Sequence, residues 1–373
     1  MKQVLQVCHG YAPPFVDVAR QYAVLFRDTE YRVTTVYLTG KTDEKIREES
    51  SADEVIFLEN SSRELRGLKL KQIRQLKAIA QPRAFDFAIA HRFKSIYVSC
   101  HIKGLAVIGV HHAFGDYKRL SRRVFAYLQK KRLFLLGVSN AIRDDLRGSL
   151  AHFPEQQIQT LYNRIDLEAL RARHLDRGAA KKALGLKEDC FYYVNVGRLH
   201  PDKDQRTLIK AFSKVASQAD DARLLIYGKG RLEEDLRQLL SELNLETKVA
   251  IGSRAYISHY MKAFDCFVLS SDHEPFGMVL LEAMAAELPV VSTREGGAGE
   301  IVGDSGLLFE RGDVDGLATH MQSIREMKVS EYQQLRNRME SRIVDAFTDQ
   351  VAAVAFMRLP FVGQIIGPGQ SGR

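Results

Sequence analysis

The chain has 373 residues, of which 45% are hydrophobic and 27% charged, and its formal net charge is +8. This is the composition of a globular protein long enough for two domains, and it excludes a membrane-spanning chain because no apolar run approaches the length of a span. The four cysteines, Cys8, Cys100, Cys190 and Cys266, lie far apart without metal-ligand spacing, which indicates reduced thiols in a cytoplasmic protein.

The N-terminal half alternates short apolar runs with amphipathic stretches. We interpret its first apolar run as a strand and not as a secretion signal, because that run is too short for one. Predicted strands cover residues 4–8, 33–38, 55–58, 85–90, 105–110 and 133–138. Predicted helices cover residues 16–26, 63–80, 93–100, 119–131 and 141–149, the last of them capped by Asn140. Apolar strands that alternate with helices predict a doubly wound parallel sheet.

The second half begins the same alternation again. Apolar runs predict strands that end near residue 197 and that cover residues 224–227, 249–251, 266–269 and 288–291. Helices are predicted over residues 231–243, 277–286 and 329–356. The chain is therefore expected to be an α/β protein with two parallel-sheet domains.

The charge is divided unevenly between the two halves. Residues 1–165 hold 27 Lys and Arg against 16 Asp and Glu, giving +11, and residues 166–373 hold 27 against 30, giving −3, which sum to +8. A basic half favours a polyanionic partner such as an anionic membrane, a phosphorylated glycolipid or nucleic acid. Basic residues are densest around the helix predicted over 119–131, at Lys118, Arg119, Arg122, Arg123, Lys130, Lys131 and Arg132.

The most informative stretch is residues 264–303, which reads as a strand, a loop and the start of a helix. Glu274 and Glu282 lie on either side of the helix start. Between them, the amides near Gly277, Met278 and Val279 belong to an unpaired first helical turn, where the helix dipole favours a phosphate. Buried carboxylates need hydrogen-bond donors, and sugar hydroxyls would serve.

Two motifs carry a resemblance to a known family. The pattern S-x-x-x-E-x-F-G-x-x-x-x-E-A-M-A, followed by P-V-V and Gly-Gly, occurs together with GRLHPDKD further upstream. Together they resemble the donor site of retaining glycosyltransferases of family 4, including those of the bacterial lipopolysaccharide core. The resemblance implies a GT-B fold, with two Rossmann-like domains facing a cleft and a C-terminal helix crossing back. We therefore predict an acceptor-side domain at 1–165, a nucleotide-sugar donor domain at 166–345, and a crossover helix and tail at 346–373.

The resemblance also assigns donor-binding roles. It implies that Glu274 contacts the transferred sugar, that Glu282 holds the nucleotide ribose, and that Arg198 and Lys203 clamp the donor diphosphate. The donor-binding segment that it implies between the two acids comprises Phe276, Gly277, Met278 and Val279.

In the first domain, the resemblance points to a histidine at the end of the fifth strand, beside the transferred sugar. His112 is the preferred catalytic candidate and His111 is the alternative, because strand alternation does not decide between them. The glycine-rich first loop typical of the family is replaced by HGYAPPF, in which Gly10 alone could approach the donor. In the hinge LYNRID, Arg164 replaces the usual glycine.

The expected function is metal-independent transfer of a hexose or heptose from a nucleotide-diphospho-sugar to a glycan or glycolipid, with lipopolysaccharide core the expected acceptor. The nucleotide sugar is then a co-substrate, and no cofactor is expected. We reject a metal at Asp202/Asp204, which straddle the phosphate lysine, and at Asp313/Asp315, which open a predicted helix.

Several alternatives to this function stay open. They are an epimerase or phosphorylase of the same fold and a non-catalytic protein that binds anionic lipid. The expected location is cytoplasmic, with peripheral docking on the inner face of the inner membrane through the basic segment around residues 119–131. Nucleic acid is the weaker polyanion candidate.

Overall fold

The structure is a computed structural model that describes residues 1–366. Its contacts divide the chain into two compact units. Unit 1 consists of Met1–Asn163 together with the segment that starts at Asp349, and unit 2 is Arg164–Thr348. Each unit is built on a parallel β-sheet flanked by helices, so the predicted fold class is confirmed.

Unit 1 contains a seven-stranded sheet with the order β3-β2-β1-β4-β5-β6-β7. Its strands are β1 Lys2–Cys8, β2 Tyr31–Thr39, β3 Glu54–Asn60, β4 Phe87–His91, β5 Ala106–His111, β6 Leu133–Gly137 and β7 Ile158–Thr160. Its helices are α1 Phe15–Ala23, α2 Glu44–Glu49, α3 Leu70–Ala80, α4 Arg92–Ser99, α5 Leu120–Gln129 and α6 Asn140–Ser149. The strand order reverses between β1 and β4, which is where ligands bind in open α/β sheets.

Unit 2 contains a six-stranded sheet with the order β10-β9-β8-β11-β12-β13. Its strands are β8 Phe191–Val196, β9 Ala222–Tyr227, β10 Val249–Gly252, β11 Cys266–Leu269, β12 Val290–Thr293 and β13 Leu307–Phe309. Its helices are α7 Leu167–Ala172, α8 Arg177–Leu184, α9 Gln205–Ala216, α10 Glu233–Glu242, α11 Met278–Ala285, α12 Gly296–Val302, α13 Val314–Arg325 and α14 Val329–Ala346. Here the order reverses between β8 and β11.

The end of the described chain forms two short helices that belong to unit 1, α15 Asp349–Met357 and α16 Val362–Ile366. Phe356 packs edge-on against Phe26, with ring centroids 5.6 Å apart, and Arg20 donates to Asp349 over 2.8 Å. These contacts anchor the returning segment on α1 and on the 3₁₀ turn Val24–Phe26 that follows it.

Three local predictions were wrong in detail. The helix predicted over 63–80 begins only at Leu70, because Gly67 and Lys69 both have positive φ and break the helical path. The helix predicted over 329–356 is interrupted at Phe347 and Thr348. The cap of α6 is Ser139 and not Asn140: Ser139 is extended, and its Oγ accepts from the Ile142 amide over 3.1 Å.

Between residues 1 and 366, no helix combines the length and apolar character needed to cross a bilayer. The cores of both units are made of the apolar strand residues, and charged residues are rare among the fully buried positions. Two long cationic side chains, Arg164 and Lys181, are exceptions.

Candidate active site

The donor motifs of unit 2 lie at the carboxyl edge of its sheet, beside the reversal in strand order. The loop that leaves β8 carries Arg198 and ends in a single 3₁₀ turn, Pro201–Lys203. The loop that leaves β11 carries Glu274. Because β8 and β11 are neighbouring parallel strands, the two loops emerge side by side.

Lys203 and Glu274 form an ion pair across these two loops. Lys203 Nζ lies 2.5 Å from Glu274 Oε2, and the two side chains are only 15% and 11% exposed. Ser271 Oγ also donates to Glu274 Oε2, over 3.2 Å. A second bond joins the loops, since Ser270 Oγ donates to the Lys203 carbonyl over 2.9 Å. The lysine predicted to bind phosphate and the carboxylate predicted to bind sugar thus form a direct ion pair.

Glu274 is also fixed by the start of α12, the helix that follows β12. The Gly297 amide donates to the Glu274 carbonyl over 2.8 Å. This approach needs glycine at position 296, where φ is +62° and where a Cβ atom would lie 2.4 Å from the same carbonyl oxygen. The Gly-Gly pair of the motif therefore serves close packing against the Glu274 loop.

Arg198 differs from Lys203 in its surroundings. Its side chain is 69% exposed and Nη2 lies 3.1 Å from Asp202 Oδ2. Its carbonyl accepts from Gln205 Nε2 over 2.9 Å, which fixes the backbone but leaves the guanidinium accessible. It can therefore turn toward a ligand with little structural cost.

The helix start predicted at Gly277 is present, and α11 begins at Met278. Gly277 is the N-cap with φ +109°, a conformation that side chains rarely adopt. The first amides of α11 have no partner within the helix, so they present partial positive charge. Glu282 lies in the second turn and is half-buried. Phe276 is 3% exposed and packs on Phe347, with ring centroids 6.0 Å apart, so its ring is part of the core.

The glycines at 228 and 230 support the GRLHPDKD loop from the neighbouring strand. A Cβ at Gly228 would lie 1.8 Å from the Gly197 carbonyl oxygen, and one at Gly230 would lie 2.2 Å from the Leu199 carbonyl oxygen. The Leu199 amide donates to the Lys229 carbonyl over 3.1 Å. These glycines therefore permit two backbones to pack closely.

In unit 1, the candidate histidines lie at the end of β5. His111 is fully buried, and its Nδ1 lies 2.7 Å from Asp116 Oδ2. His112 follows the strand and is partly accessible, and its Nε2 lies 3.3 Å from Nδ1 of His91. His112 is therefore the one of the two that can meet a ligand, whereas His111 is held by Asp116.

The surroundings of His112 keep its ring neutral. Burial, followed by the electrostatic effects of the neighbouring His111 and Arg92, lowers the pKa of His112 to about 3. Burial alone would raise the pKa of Asp116, but the hydrogen bond from His111 and the nearby cations lower it below its ordinary value. At neutral pH the site thus contains a neutral His112 ring and an ionised Asp116.

Gly10 lies at the carboxyl end of β1, next to the strand-order reversal of unit 1. A Cβ there would lie 2.7 Å from Thr39 Oγ1, so glycine is needed for packing against β2. The neighbouring His9 has its pKa lowered to about 4 by burial and then by Lys94 and Arg92.

Two residues of this cluster escaped the sequence analysis, His91 and Asp116. His91 ends β4, and a polar residue at the carboxyl end of a buried parallel strand is a signal that could have found it. Asp116 lies in a loop, and nothing in its local sequence indicates that it meets His111.

The basic segment around α5 is divided between different environments. Arg132 donates to the carbonyls of Cys100, Ile102 and Leu105, so it serves the fold. Lys118, Arg119, Lys130 and Lys131 are exposed. Between them α5 presents an apolar stripe at helical spacing, with Leu120, Val124 and Leu128 exposed by 67%, 48% and 76%. The basic charges were predicted from the sequence, but this apolar stripe was not.

The two sheets and these sites define a two-domain fold of the GT-B class. A crystal structure of Alr3699/HepE from Anabaena, solved in complex with UDP and glucose, is similar to this chain with a TM-score of 0.77 at 19% identity, covering 95% of this chain and 98% of that one. At this identity the similarity concerns the fold.

Residues 176–343 match the family described as glycosyl transferases group 1. The matched stretch lies within unit 2, and the match confirms the resemblance of the motifs to glycosyltransferases. The chain is 32% identical over 201 residues to N-acetyl-alpha-D-glucosaminyl L-malate synthase of Bacillus anthracis, covering 53% of this chain and 51% of the relative. It is 31% identical over 178 residues to the lipopolysaccharide core biosynthesis glycosyltransferase LpsE of Rhizobium meliloti, covering 46% and 50%. The chain thus spans about half the length of these curated relatives.

Proposed function

We propose that this protein is a retaining glycosyltransferase that moves a hexose or heptose from a nucleotide-diphospho-sugar to a hydroxyl of a glycan or glycolipid. The observation that carries the proposal is the convergence of Arg198, the Lys203–Glu274 pair and the first turn of α11 at one sheet edge. Cations and unpaired amides beside a fixed carboxylate suit a ligand that carries both phosphates and sugar hydroxyls.

In the proposed reaction, the bond between the anomeric carbon and the diphosphate oxygen breaks. A new bond forms between that carbon and the acceptor oxygen, and the acceptor's proton leaves with the nucleoside diphosphate. Negative charge grows on the leaving diphosphate, where Arg198, Lys203 and the α11 amides would stabilise it. Glu274 would orient the sugar and Glu282 the ribose. His112, neutral at pH 7, would face the positive charge that develops on the sugar ring.

The protein side chains would supply the charge stabilisation without a resident divalent ion. Asp204 and Asp313, which belong to the two D-x-D patterns, each cap a helix by accepting from the amides of Thr207 and Gly316. Turnover is therefore expected to survive a chelator. Loss of activity on chelation, restored by a divalent ion, would contradict this part of the proposal.

The division of roles between the two acids can be tested by calorimetry. We expect Glu282→Ala to weaken binding of the nucleoside diphosphate alone, and Glu274→Gln to leave that binding closer to wild type while impairing use of the full nucleotide sugar. A screen of UDP-, GDP- and ADP-sugars for donor hydrolysis identifies the donor. If no nucleotide sugar binds or is hydrolysed, the glycosyltransferase proposal fails.

We also propose that unit 1 docks on an anionic membrane, which fits a lipopolysaccharide core acceptor such as the one named for LpsE. The support is the stripe Leu120, Val124 and Leu128 on α5, together with the exposed lysines and arginine that lie just before and just after this helix. Each basic residue near such a surface contributes about 1 kcal/mol. Sedimentation with anionic and neutral vesicles at low and high salt tests the proposal.

The docking test has a matched control. Lys130→Glu/Lys131→Glu should release the protein from anionic vesicles, whereas Lys182→Glu/Lys210→Glu, the same charge change at exposed lysines of unit 2, should not. Equal effects of the two pairs would refute docking through α5 and leave the transferase proposal in place.

A further inference from the structure

A basic pocket with aromatic walls lies at the carboxyl edge of the unit 1 sheet. It consists of two adjoining cavities of about 430 Å³ and 120 Å³, which share Phe93, Lys94 and Arg122 in their linings. The smaller cavity is also lined by His9 and Arg92, which follow β1 and β4. The pocket therefore lies at the reversal in strand order, where open α/β sheets bind ligands.

The linings of the two cavities contain far more positive than negative charge. Their cations are Arg66, Lys69, Arg92, Lys94, Arg119 and Arg122. Asp116 is the one carboxylate among the described residues that line them, and it already accepts from Arg122 over 3.1 Å and contacts His111. The pocket thus holds a cluster of cations with very little compensation.

The cations are close enough to repel one another. Burial, and then the positive charges of Arg92, Arg66 and Arg122, lower the pKa of Lys94. Burial, followed by Lys94 and Arg122, lowers the pKa of Lys69 in the same way. Within the described chain, Lys94 Nζ has neither a hydrogen bond nor an ion pair. A bound anion would relieve this repulsion. Its strongest new contact would be with Lys94, because that ammonium group has no other partner among the described residues.

The pocket is also held in shape. The Arg122 guanidinium lies 4.4 Å from the centroid of the Phe93 ring, and Lys69 Nζ lies 4.9 Å from that of Tyr97. Lys69 Nζ is further fixed by donating to the Gly67 carbonyl over 2.7 Å. Phe125 closes the wall, 5.7 Å from Phe93 between centroids. An apolar aromatic wall with a few fixed polar groups suits a sugar ring better than a free inorganic ion.

We propose that this pocket binds a phosphate group carried by the acceptor sugar. A phosphomonoester brings up to two negative charges and three acceptor oxygens, which match several cations more fully than one carboxylate would. Asp116 connects the pocket to the histidines, because it contacts both Arg122 and His111. Arg92, which lines the smaller cavity, is also close enough to His112 to lower the pKa of its ring. That the ligand is an acceptor rests on the proposed transferase function, whereas anion binding by the pocket does not.

The test is calorimetric binding of glucose 6-phosphate, with glucose as the uncharged comparison. We expect glucose 6-phosphate to bind and Lys94→Glu to weaken that binding by about tenfold or more, the effect of losing one charge-assisted contact. Lys94→Met, which keeps an unbranched stem, and Arg66→Ala, at an exposed loop position, should weaken it as well. Lys77→Glu, at an exposed lysine of unit 1 outside the pocket, should not.

A second arm distinguishes a lipid-borne phosphate from a soluble one. The same variants are sedimented with vesicles that contain phosphatidic acid. If Lys94→Glu loses vesicle binding, Lys77→Glu keeps it and neither variant affects the glucose 6-phosphate arm, the phosphate belongs to a lipid. If Lys94→Glu loses binding of glucose 6-phosphate, the phosphate belongs to a soluble sugar. Both outcomes support the pocket.

Three results would overturn the proposal: measurable and equal affinity for glucose and glucose 6-phosphate, unchanged binding of both phosphate probes in folded Lys94→Glu, or no binding in either arm. Nucleoside diphosphate binding is measured in parallel, and Lys94→Glu should leave it unchanged because that site is in unit 2. If the protein binds a phosphate probe but no nucleotide, the proposal of an anion-binding pocket stands and the proposed transferase function is rejected.

Discussion

Replacing either of the two phosphate-clamp candidates should slow turnover, but the two replacements should differ sharply in their effect on stability. Lys203 is paired with Glu274 at 2.5 Å, and both side chains are largely buried. Arg198 is mostly exposed and contacts Asp202 at 3.1 Å. We expect Lys203→Ala and Arg198→Ala each to reduce turnover about a hundredfold, the scale for losing one preorganised donor to developing charge.

The stability difference follows from burial. Two unit charges 2.5 Å apart attract by roughly 7 kcal/mol at an effective dielectric constant of 20, before the cost of desolvation is subtracted. Removing one partner of a buried pair typically costs about 3 kcal/mol or more, because the other charge stays buried alone. Lys203→Ala should therefore destabilise unit 2 by about 3 kcal/mol. Arg198→Ala should cost less than about 1 kcal/mol, since exposed ion pairs contribute little.

Urea unfolding followed by circular dichroism measures the difference, and hydrogen exchange over residues 270–285 localises it to unit 2. The double variant Lys203→Ala/Glu274→Gln is the matched control, because it removes both charges and should recover much of the lost stability. Equal destabilisation by Lys203→Ala and Arg198→Ala, or strictly additive effects in the double variant, would refute the reasoning.

Three further predictions concern other parts of the molecule. The pKa of His112 is about 3 in the folded protein, whereas that of a histidine is about 6.5 in the unfolded chain. Below pH 6.5 the unfolded chain therefore binds a proton that the folded protein does not bind. The free energy of unfolding should fall as the pH drops from about 6.5 toward 3, by up to about 1.4 kcal/mol per pH unit. His112→Gln should flatten this pH slope in thermal unfolding, and the exposed-site variant His152→Gln should not. Gly296→Ala should destabilise unit 2 more than Gly312→Ala, since both glycines have positive φ but only the Cβ at 296 meets a backbone oxygen; similar urea midpoints would show that the clash is relieved. Arg132→Met should destabilise unit 1 by about 1–3 kcal/mol by leaving loop carbonyls without their donor, and an unchanged unfolding midpoint would contradict that role.

The alternation of apolar runs with amphipathic stretches was sufficient to predict two parallel sheets, because burial on both faces demands continuous apolar strands. The same reasoning placed the functional loops at strand ends. GRLHPDKD leaves β8 and the Glu274 loop leaves β11, as expected, and the start of α11 at Met278 follows the predicted turn at Gly277. These features depend on residues that are near one another in sequence.

Local sequence was less reliable where several conformations compete. Gly67 and Lys69 end the helical path that the apolar pattern of residues 63–80 suggested, because both residues adopt positive φ. Ser139 caps α6 in place of the neighbouring asparagine, because the cap must be the extended residue just before the first helical turn. Such choices differ by about 1 kcal/mol, which packing easily overrides.

Only the tertiary structure decided which distant side chains meet. Lys203 and Glu274 are 71 positions apart, and they pair because the sheet order makes β8 and β11 neighbours. His91 contacts His112 because β4 lies beside β5. Asp116 contacts His111, the buried one of the two candidate histidines. The basic pocket likewise gathers residues that follow β1 and β4 with others from α5 and the loop before α3. Periodicity and propensity act over a few residues, whereas strand order is set by the burial of the whole sheet, so no local pattern in the sequence encodes these encounters.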